Sequence, residues 1–199
     1  MRTIQLKLYR IDELTEDARK RALQYLRNDL EYPWIWDNRR TLEEFSKIFP
    51  VRVVGWSYGN GPEYIHWKFI DIDTIANLNG IRLYKYLWNT YRHEIYKGRW
   101  YYKDGKVRYS KVFLDNSCVL TGYWLDDVIL EPIYNFLKKP TDATFYYLLD
   151  ECLTAWVRAC AEDVELFYSD ASLIDAALAN NYEFLEDGTL TMCAQEGVL

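Results

Sequence analysis

YKYLWNTYRHEIYKGRWYYKDGKVRYSK, residues 84–111, holds nine aromatic residues and eight Lys or Arg against two acids, Glu94 and Asp104. Its period changes midway, and that change sets the fold class. Ile81, Tyr84, Trp88, Tyr91 and Ile95 recur every three or four positions, which predicts a helix with one apolar stripe and with Arg82, Lys85, Asn89 and Arg92 on its other side. After Gly98 the period becomes two. Asp104-Gly105, flanked by aromatic and β-branched residues, predicts a hairpin with a two-residue turn. Such a turn pairs Lys103 with Lys106, Tyr102 with Val107, Tyr101 with Arg108 and Trp100 with Tyr109. Trp100, Tyr102, Val107 and Tyr109 then share the side expected to be buried, and Tyr101, Lys103, Lys106 and Arg108 share the other.

Toward the N-terminus, TIQLKLY (3–9) alternates as a half-buried strand does. DELTEDARKRALQYLRNDL (12–30) reads as a helix capped by Thr15, with Ala18, Ala22, Leu23, Leu26 and Leu30 at helical spacing and Pro33 beyond its end. Thr41-Leu42-Glu43-Glu44 has the form of a capping box and predicts a second helix start, with Pro50 as its stop. VRVVGWSY (51–58) and EYIHWKFIDI (63–72) read as two strands joined by GNGP.

Toward the C-terminus, DDVILEPIYNFLKK (126–139) and a long segment from about 142 to 169 read as helices. The apolar face of the second comprises Phe145, Leu148, Leu149, Cys152, Trp156, Ala159, Cys160 and Phe167. A short helix capped by Ser169 or Asp170 follows, then a hairpin around Asp187-Gly188. The expected architecture is a single α+β domain over 1–199: a small antiparallel sheet and hairpins, several packed helices and a helical C-terminal lobe.

Composition narrows the class further. A chain of 199 residues with 50% hydrophobic content buries a sizeable core, which argues against disorder. No run approaches the roughly 20 apolar residues of a membrane span, and MRTIQLKLYRID lacks the features of a cleaved leader, so a cytoplasmic protein is expected. Cys118, Cys152, Cys160 and Cys193 are irregularly spaced and suit reduced thiols better than a disulfide framework. With no CxxC pair, and with His66 and His93 apart from every cysteine, neither zinc nor another metal or cofactor is expected. Residues 1–111 carry 21 Lys or Arg against 14 acids and residues 112–199 carry 3 against 16, which suggests a basic and an acidic sub-lobe and bears on partners.

Catalytic patterns are absent. Gly59-Asn60-Gly61 lacks the later glycine of a dinucleotide loop and the lysine of a Walker loop, and no nucleophile-elbow pattern surrounds Ser57 opposite His66. His93 beside Glu94 falls on a solvated helix side, and Asp126-Asp127 suits a helix N-terminus. No catalytic residue is assigned, and a non-enzymatic protein is expected. Two charged faces remain as candidates. Arg82, Lys85, Arg92, Arg99, Tyr101, Lys103, Lys106 and Arg108 combine cations with an aromatic ring, as a polyanion or single-stranded nucleic acid requires. Glu162, Asp163, Glu165, Asp170 and Asp175 form an acidic face suited to a basic partner.

YRIDELTEDARKRAL (9–23), WSYGNG (56–61), CVLTGYWLDDVILEPIYNFL (118–137) and NNYEFLEDG (180–188) resemble a family of bacteriophage and prophage proteins, sometimes labelled antitoxin-like. Relatives carry an acidic, Gly-rich turn after the serine, from which WSYGNGP departs, and the family supplies no catalytic residues. The resemblance implies a small phage-encoded protein in the bacterial host cytoplasm. Its expected role is to bind and inhibit a host protein or nucleoprotein complex, as an anti-CRISPR or other anti-defence factor does. The alternative is direct binding of single-stranded nucleic acid through residues 82–111.

Overall fold

In the computed structural model, the described residues (5–59, 61–70 and 73–191) form seven helices and two two-stranded antiparallel sheets, an α+β fold. In chain order these are α1 (Glu16–Asp29), α2 (Ile35–Ile48), β1 (Val51–Ser57), β2 (Tyr64–Phe69), α3 (Asp73–Ala76), α4 (Gly80–Ile95), β3 (Lys97–Lys103), β4 (Lys106–Asp115), α5 (Leu125–Lys138), α6 (Phe145–Phe167) and α7 (Asp170–Ala179). No helix among the described residues is long and apolar enough to cross a membrane.

Packing divides the chain into two units, one of Met1–Pro33 with Asp163–Leu199 and one of Trp34–Glu162, with α6 supplying residues to both. The boundaries of these units fall near residues 33 and 163, and the change of charge along the sequence falls near residue 111. Apolar burial decides which elements pack, whereas net charge does not. The first unit carries 7 Lys or Arg against 14 acids, and the second is nearly balanced at 17 against 16.

In the first unit, Ala18, Ala22, Leu23 and Leu26 of α1 pack with Ile11, Leu14, Phe184 and with Leu173 and Ala177 of α7. Thr15 and Ser169 cap α1 and α7, accepting from the Ala18 and Ser172 backbone N–H at 3.4 and 3.2 Å. The expected strand over 3–9 does not form in its described part: residues 5–8 take no regular structure, and only Tyr9 bridges to Phe184. Thr3 and Ile4 lie outside the described residues. Alternation alone makes no strand without a partner edge, and here that edge is the single residue Phe184, which also bridges Leu190.

The expected reversal at Asp187-Gly188 is present, with Leu185 N–H donating to Thr189 O at 2.8 Å. Gly188 has φ +90°, and a Cβ there would stand 2.1 Å from the Ala18 carbonyl oxygen of α1. Both the backbone angle and the clash oppose a side chain. Gly188→Ala is therefore expected to cost about 2–4 kcal/mol, read as a lower urea midpoint at unchanged slope; an unchanged midpoint would show that α1 yields.

The second unit is built around α5 and α6, whose Ile129, Leu130, Ile133, Leu149, Cys152, Leu153 and Trp156 form one core with Leu42, Phe45 and Phe49 from α2 and its C-cap, and with Leu83, Leu87 and Ile95 from α4. Trp156 donates its Nε1–H to Asn38 O at 3.1 Å and meets Trp56 and Tyr58 edge to face. β1 and β2 pair antiparallel from Val51↔Phe69 to Ser57↔Tyr64, as expected. Thr41 is not a cap. α2 begins at Ile35, two turns earlier, so Thr41 lies in the helix interior, buried, and its Oγ1–H donates to the Asp126 carboxylate at 3.1 Å.

The buried stripe of α4 is also rotated from the expected one. Leu83, Leu87, Tyr91 and Ile95 face the core, Ile81 is 62% exposed, and Tyr84 and Trp88 lie half-buried and stacked at the margin. Leu side chains fill the core without a polar atom to satisfy, whereas Tyr and Trp keep a polar tip toward water.

Candidate functional site

The hairpin β3–β4 has the register that its turn dictates: Lys103↔Lys106, Tyr102↔Val107, Tyr101↔Arg108 and Trp100↔Tyr109. Asp104 (φ +53°) and Gly105 (φ +70°) both take the left-handed conformation of a tight hairpin turn. Cross-strand contacts hold the ribbon, with Trp100 and Tyr109 rings 4.9 Å apart and Tyr101 and Phe113 meeting edge to face at 5.5 Å. The ladder shifts after Gly98↔Leu114, so Lys111, Val112 and Phe113 have no partner on β3. This bulge turns the base of the ribbon.

The apolar side of the ribbon is uncovered, contrary to its expected burial. Trp100, Tyr102, Val107 and Tyr109 are 65, 75, 56 and 48% exposed. From 99 to 113 only Tyr101 and Ser110 are less than exposed. Alternation sorts residues by side but does not supply an element to cover one, and among the described residues no helix covers this face. Contiguous exposed aromatic surface of this kind marks interaction sites.

The expected cations divide into two groups. Arg99, Lys103, Lys106 and Arg108 are exposed on the ribbon beside Tyr101. Arg92, at the C-terminal end of α4, lies with its guanidinium 4.7 Å from the Trp88 ring and meets the ribbon's foot. Arg82 and Lys85 are exposed near the other end of α4, with Arg82 about 15 Å along the helix from Arg92. Among the described residues, none of these cations, nor Lys97 or Lys111, makes an ion pair.

The acidic candidates differ in their surroundings. Glu162 and Glu165 are exposed on α6, Asp175 is exposed on α7, Asp163 accepts the Tyr32 hydroxyl, and Asp170 pairs with Arg27 at 2.5 Å. Two of the five therefore serve the first unit's own packing. No group of three or more His, Cys, Asp or Glu able to hold a metal occurs among the described residues.

Ser57 pairs with Tyr64 and His66 with Gly55, so the strand register separates the serine from the histidine, and the His66 ring lies against Tyr64 at 4.8 Å. Asp126 and Asp127 organise the loop before α5. The Asp126 carboxylate, fully buried, accepts from three consecutive backbone N–H groups, and Asp127 accepts from Cys118 N–H at 2.6 Å.

Burial, and secondarily the Asp127 charge, raise the Cys118 thiol above its ordinary range. Its folded form therefore holds the proton more tightly, and the thiolate appears only at higher pH than in an unfolded chain. Iodoacetamide should label Cys118 in the native protein with a pH–rate midpoint above that of the denatured protein, followed by peptide mass spectrometry. A midpoint at or below the denatured value would contradict the packing of this loop.

Sequence reasoning named cations of the ribbon but missed its exposed aromatic face and the basic residues at its foot, His93, Lys97 and Lys111. No family model, no curated protein and no solved structure matches this chain.

Proposed function

We propose that this is a non-catalytic binding protein whose β3–β4 ribbon holds single-stranded nucleic acid. One observation carries the reading: Trp100, Tyr102 and Tyr109 lie together on an uncovered sheet face within a segment, 97–111, that has six Lys or Arg and one acid. Aromatic faces stack on bases of any identity, and Lys and Arg release counterions as they neutralise phosphates. An acidic protein would answer the charge but not the flat rings. A two-stranded ribbon is narrow, its strands about 5 Å apart. Long side chains rooted on the opposite side, those of Lys103, Lys106 and Arg108, therefore reach past its edges toward phosphates flanking a base on Tyr102.

The test is fluorescence anisotropy of a labelled oligothymidine at low salt. Trp100→Ala with Tyr102→Ala is expected to weaken binding by roughly tenfold or more, since base stacking contributes about 1–3 kcal/mol per ring. Both side chains are exposed, so the circular dichroism of the variant should match the parent. Wild-type protein that fails to bind at low salt would end this reading.

A second reading rests on another surface. Trp34, Ile35, Trp36 and Trp124 are exposed, the Trp34 and Tyr123 rings are 6.5 Å apart, and the Arg39 guanidinium lies 5.8 Å from the Trp36 ring. Aromatic and Arg anchors of this kind dominate protein–protein affinity. Together with the resemblance to bacteriophage proteins, they support a phage-encoded inhibitor that occupies a host defence complex of the CRISPR or a related type in the bacterial cytoplasm. Trp36→Ala should then abolish recovery of a stoichiometric partner from host lysate at low salt, while the ribbon variant retains it. Loss in the ribbon variant alone would assign the partner to the ribbon.

A further inference from the structure

Where the ribbon meets the C-terminal end of α4, a cavity of about 200 Å³ is walled by Arg92, His93, Tyr96, Lys97, Tyr109 and Lys111. Of the five cavities described, it alone has no carboxylate in its walls; the others include Glu43, Glu44, Glu94, Asp127, Glu131, Asp150 or Glu151. The bulge after Gly98↔Leu114 brings Lys111 back toward Lys97. Gly98 leaves room for the Tyr109 ring, whose atoms would stand 2.6 Å from a Cβ there, so Tyr109 lies across the glycine and closes one side.

We propose that this foot cavity is a phosphate-binding site that takes the terminal phosphomonoester of a strand lying along the aromatic face. The inference rests on the nucleic-acid reading for the strand, but not for the phosphate. Three observations carry it. The basic groups come from helix and ribbon: Arg92 and His93 end α4 and Lys97 follows its C-cap, where a helix C-terminus favours positive charge, but Lys111 belongs to β4 and owes nothing to that dipole. Arg92, Lys97 and Lys111 converge with His93 in walls that hold no carboxylate, although Asp115 stands opposite Lys97 in the ladder, and an anion there meets three positive charges. The volume is below the roughly 300–1,000 Å³ of pockets that enclose whole small ligands, so it suits a single charged group at the end of a larger molecule.

The walls also sort the chemistry. Tyr96, whose hydroxyl is raised above the ordinary range by burial and then by the neighbouring Tyr84, also walls the cavity. Tyr109 belongs to both features, since its ring packs against Trp100 of the exposed face and walls the cavity. A base on Trp100 thus lies next to the place where its terminal phosphate would enter. A monoester carries more negative charge than the diester linkages within a strand, which favours the end over the middle.

The experiment uses the full chain, inorganic phosphate by calorimetry, and one oligothymidine prepared with a 5′-phosphate, a 3′-phosphate or hydroxyl ends. Wild type should bind inorganic phosphate, one phosphorylated end should bind at least about tenfold tighter than the hydroxyl-ended strand, and Lys97→Ala with Lys111→Ala should erase that preference. Both side chains are exposed, so without phosphate the double variant should melt close to wild type. Two failures separate the readings. Phosphate binding that depends on Lys97 and Lys111, with no strand binding at all, keeps the cavity and removes the nucleic-acid function. Strands that bind equally whatever their ends, unaffected by inorganic phosphate, keep the function and overturn the cavity proposal.

Discussion

Asp126→Ala should lower the stability of the second unit by about 4 kcal/mol or more, measured by urea unfolding followed through the buried Trp156. The carboxylate is fully buried, and its Oδ2 accepts from the N–H groups of Leu120 (3.0 Å), Thr121 (2.6 Å) and Gly122 (2.9 Å). Its Oδ1 accepts from the hydroxyls of Thr121 (2.8 Å) and Thr41 (3.1 Å). Alanine leaves three backbone donors converging on an empty place beside the start of α5. Water reaches some of them as the loop opens, so the loss is less than five full hydrogen bonds. The change Asp126→Asn would rescue little, because an amide nitrogen presents donors to donors. Asp127→Ala is the control: it removes the bond from Cys118 N–H at a half-buried position and should cost about 1 kcal/mol. An Asp126→Ala variant as stable as Asp127→Ala would mean that the 116–124 loop does not depend on this carboxylate.

What could be read beforehand was what depends on near neighbours. The ribbon's pairing follows from Asp104-Gly105 alone, and the caps Thr15 and Ser169 act within three residues. Thr41 shows where such reading stops. Its capping-box pattern is local and genuine, but the hydroxyl's partner is Asp126, 85 positions away, and a buried carboxylate competes better than a helix end that α2 does not have there. The helix α4 was legible as a helix and not as a face, because aromatic and Leu stripes lie within the same half of its surface and the core took the Leu stripe.

The same limit governs the site. Alternation assigned Trp100, Tyr102, Val107 and Tyr109 to one side but carried no information on whether another element would cover it. The cationic foot was illegible for a geometric reason: Lys97 and Lys111 meet only because three residues of β4 bulge out of the ladder, and a bulge has no period to detect. Likewise charge along the chain does not report packing: α1, with its Arg and Lys residues, packs with the acidic C-terminal segment through Leu23, Leu26 and Leu173.

Changing Lys103, Lys106 and Arg108 together to Glu should weaken single-strand binding on the order of a thousandfold at low salt. The fold should be unaffected, because all three are exposed and make no ion pair. Lys103 lies directly opposite Lys106, so the apo ribbon carries a repulsive pair that the substitution replaces by another. The sharper test is the triple change to Gln, which removes charge without adding any. If about six cations neutralise phosphates, log K falls with log salt at a slope near −4, and three fewer cations reduce it to about −2. Raising salt fourfold would then weaken wild type about three-hundredfold and the Gln variant only about twentyfold. Stacking by Trp100 and Tyr102 is nearly indifferent to salt, so their Ala variants should shift the line down and leave its slope alone. Parallel lines for all three proteins would show that the ribbon's cations never meet phosphate, and that its exposed aromatic face serves a partner without one.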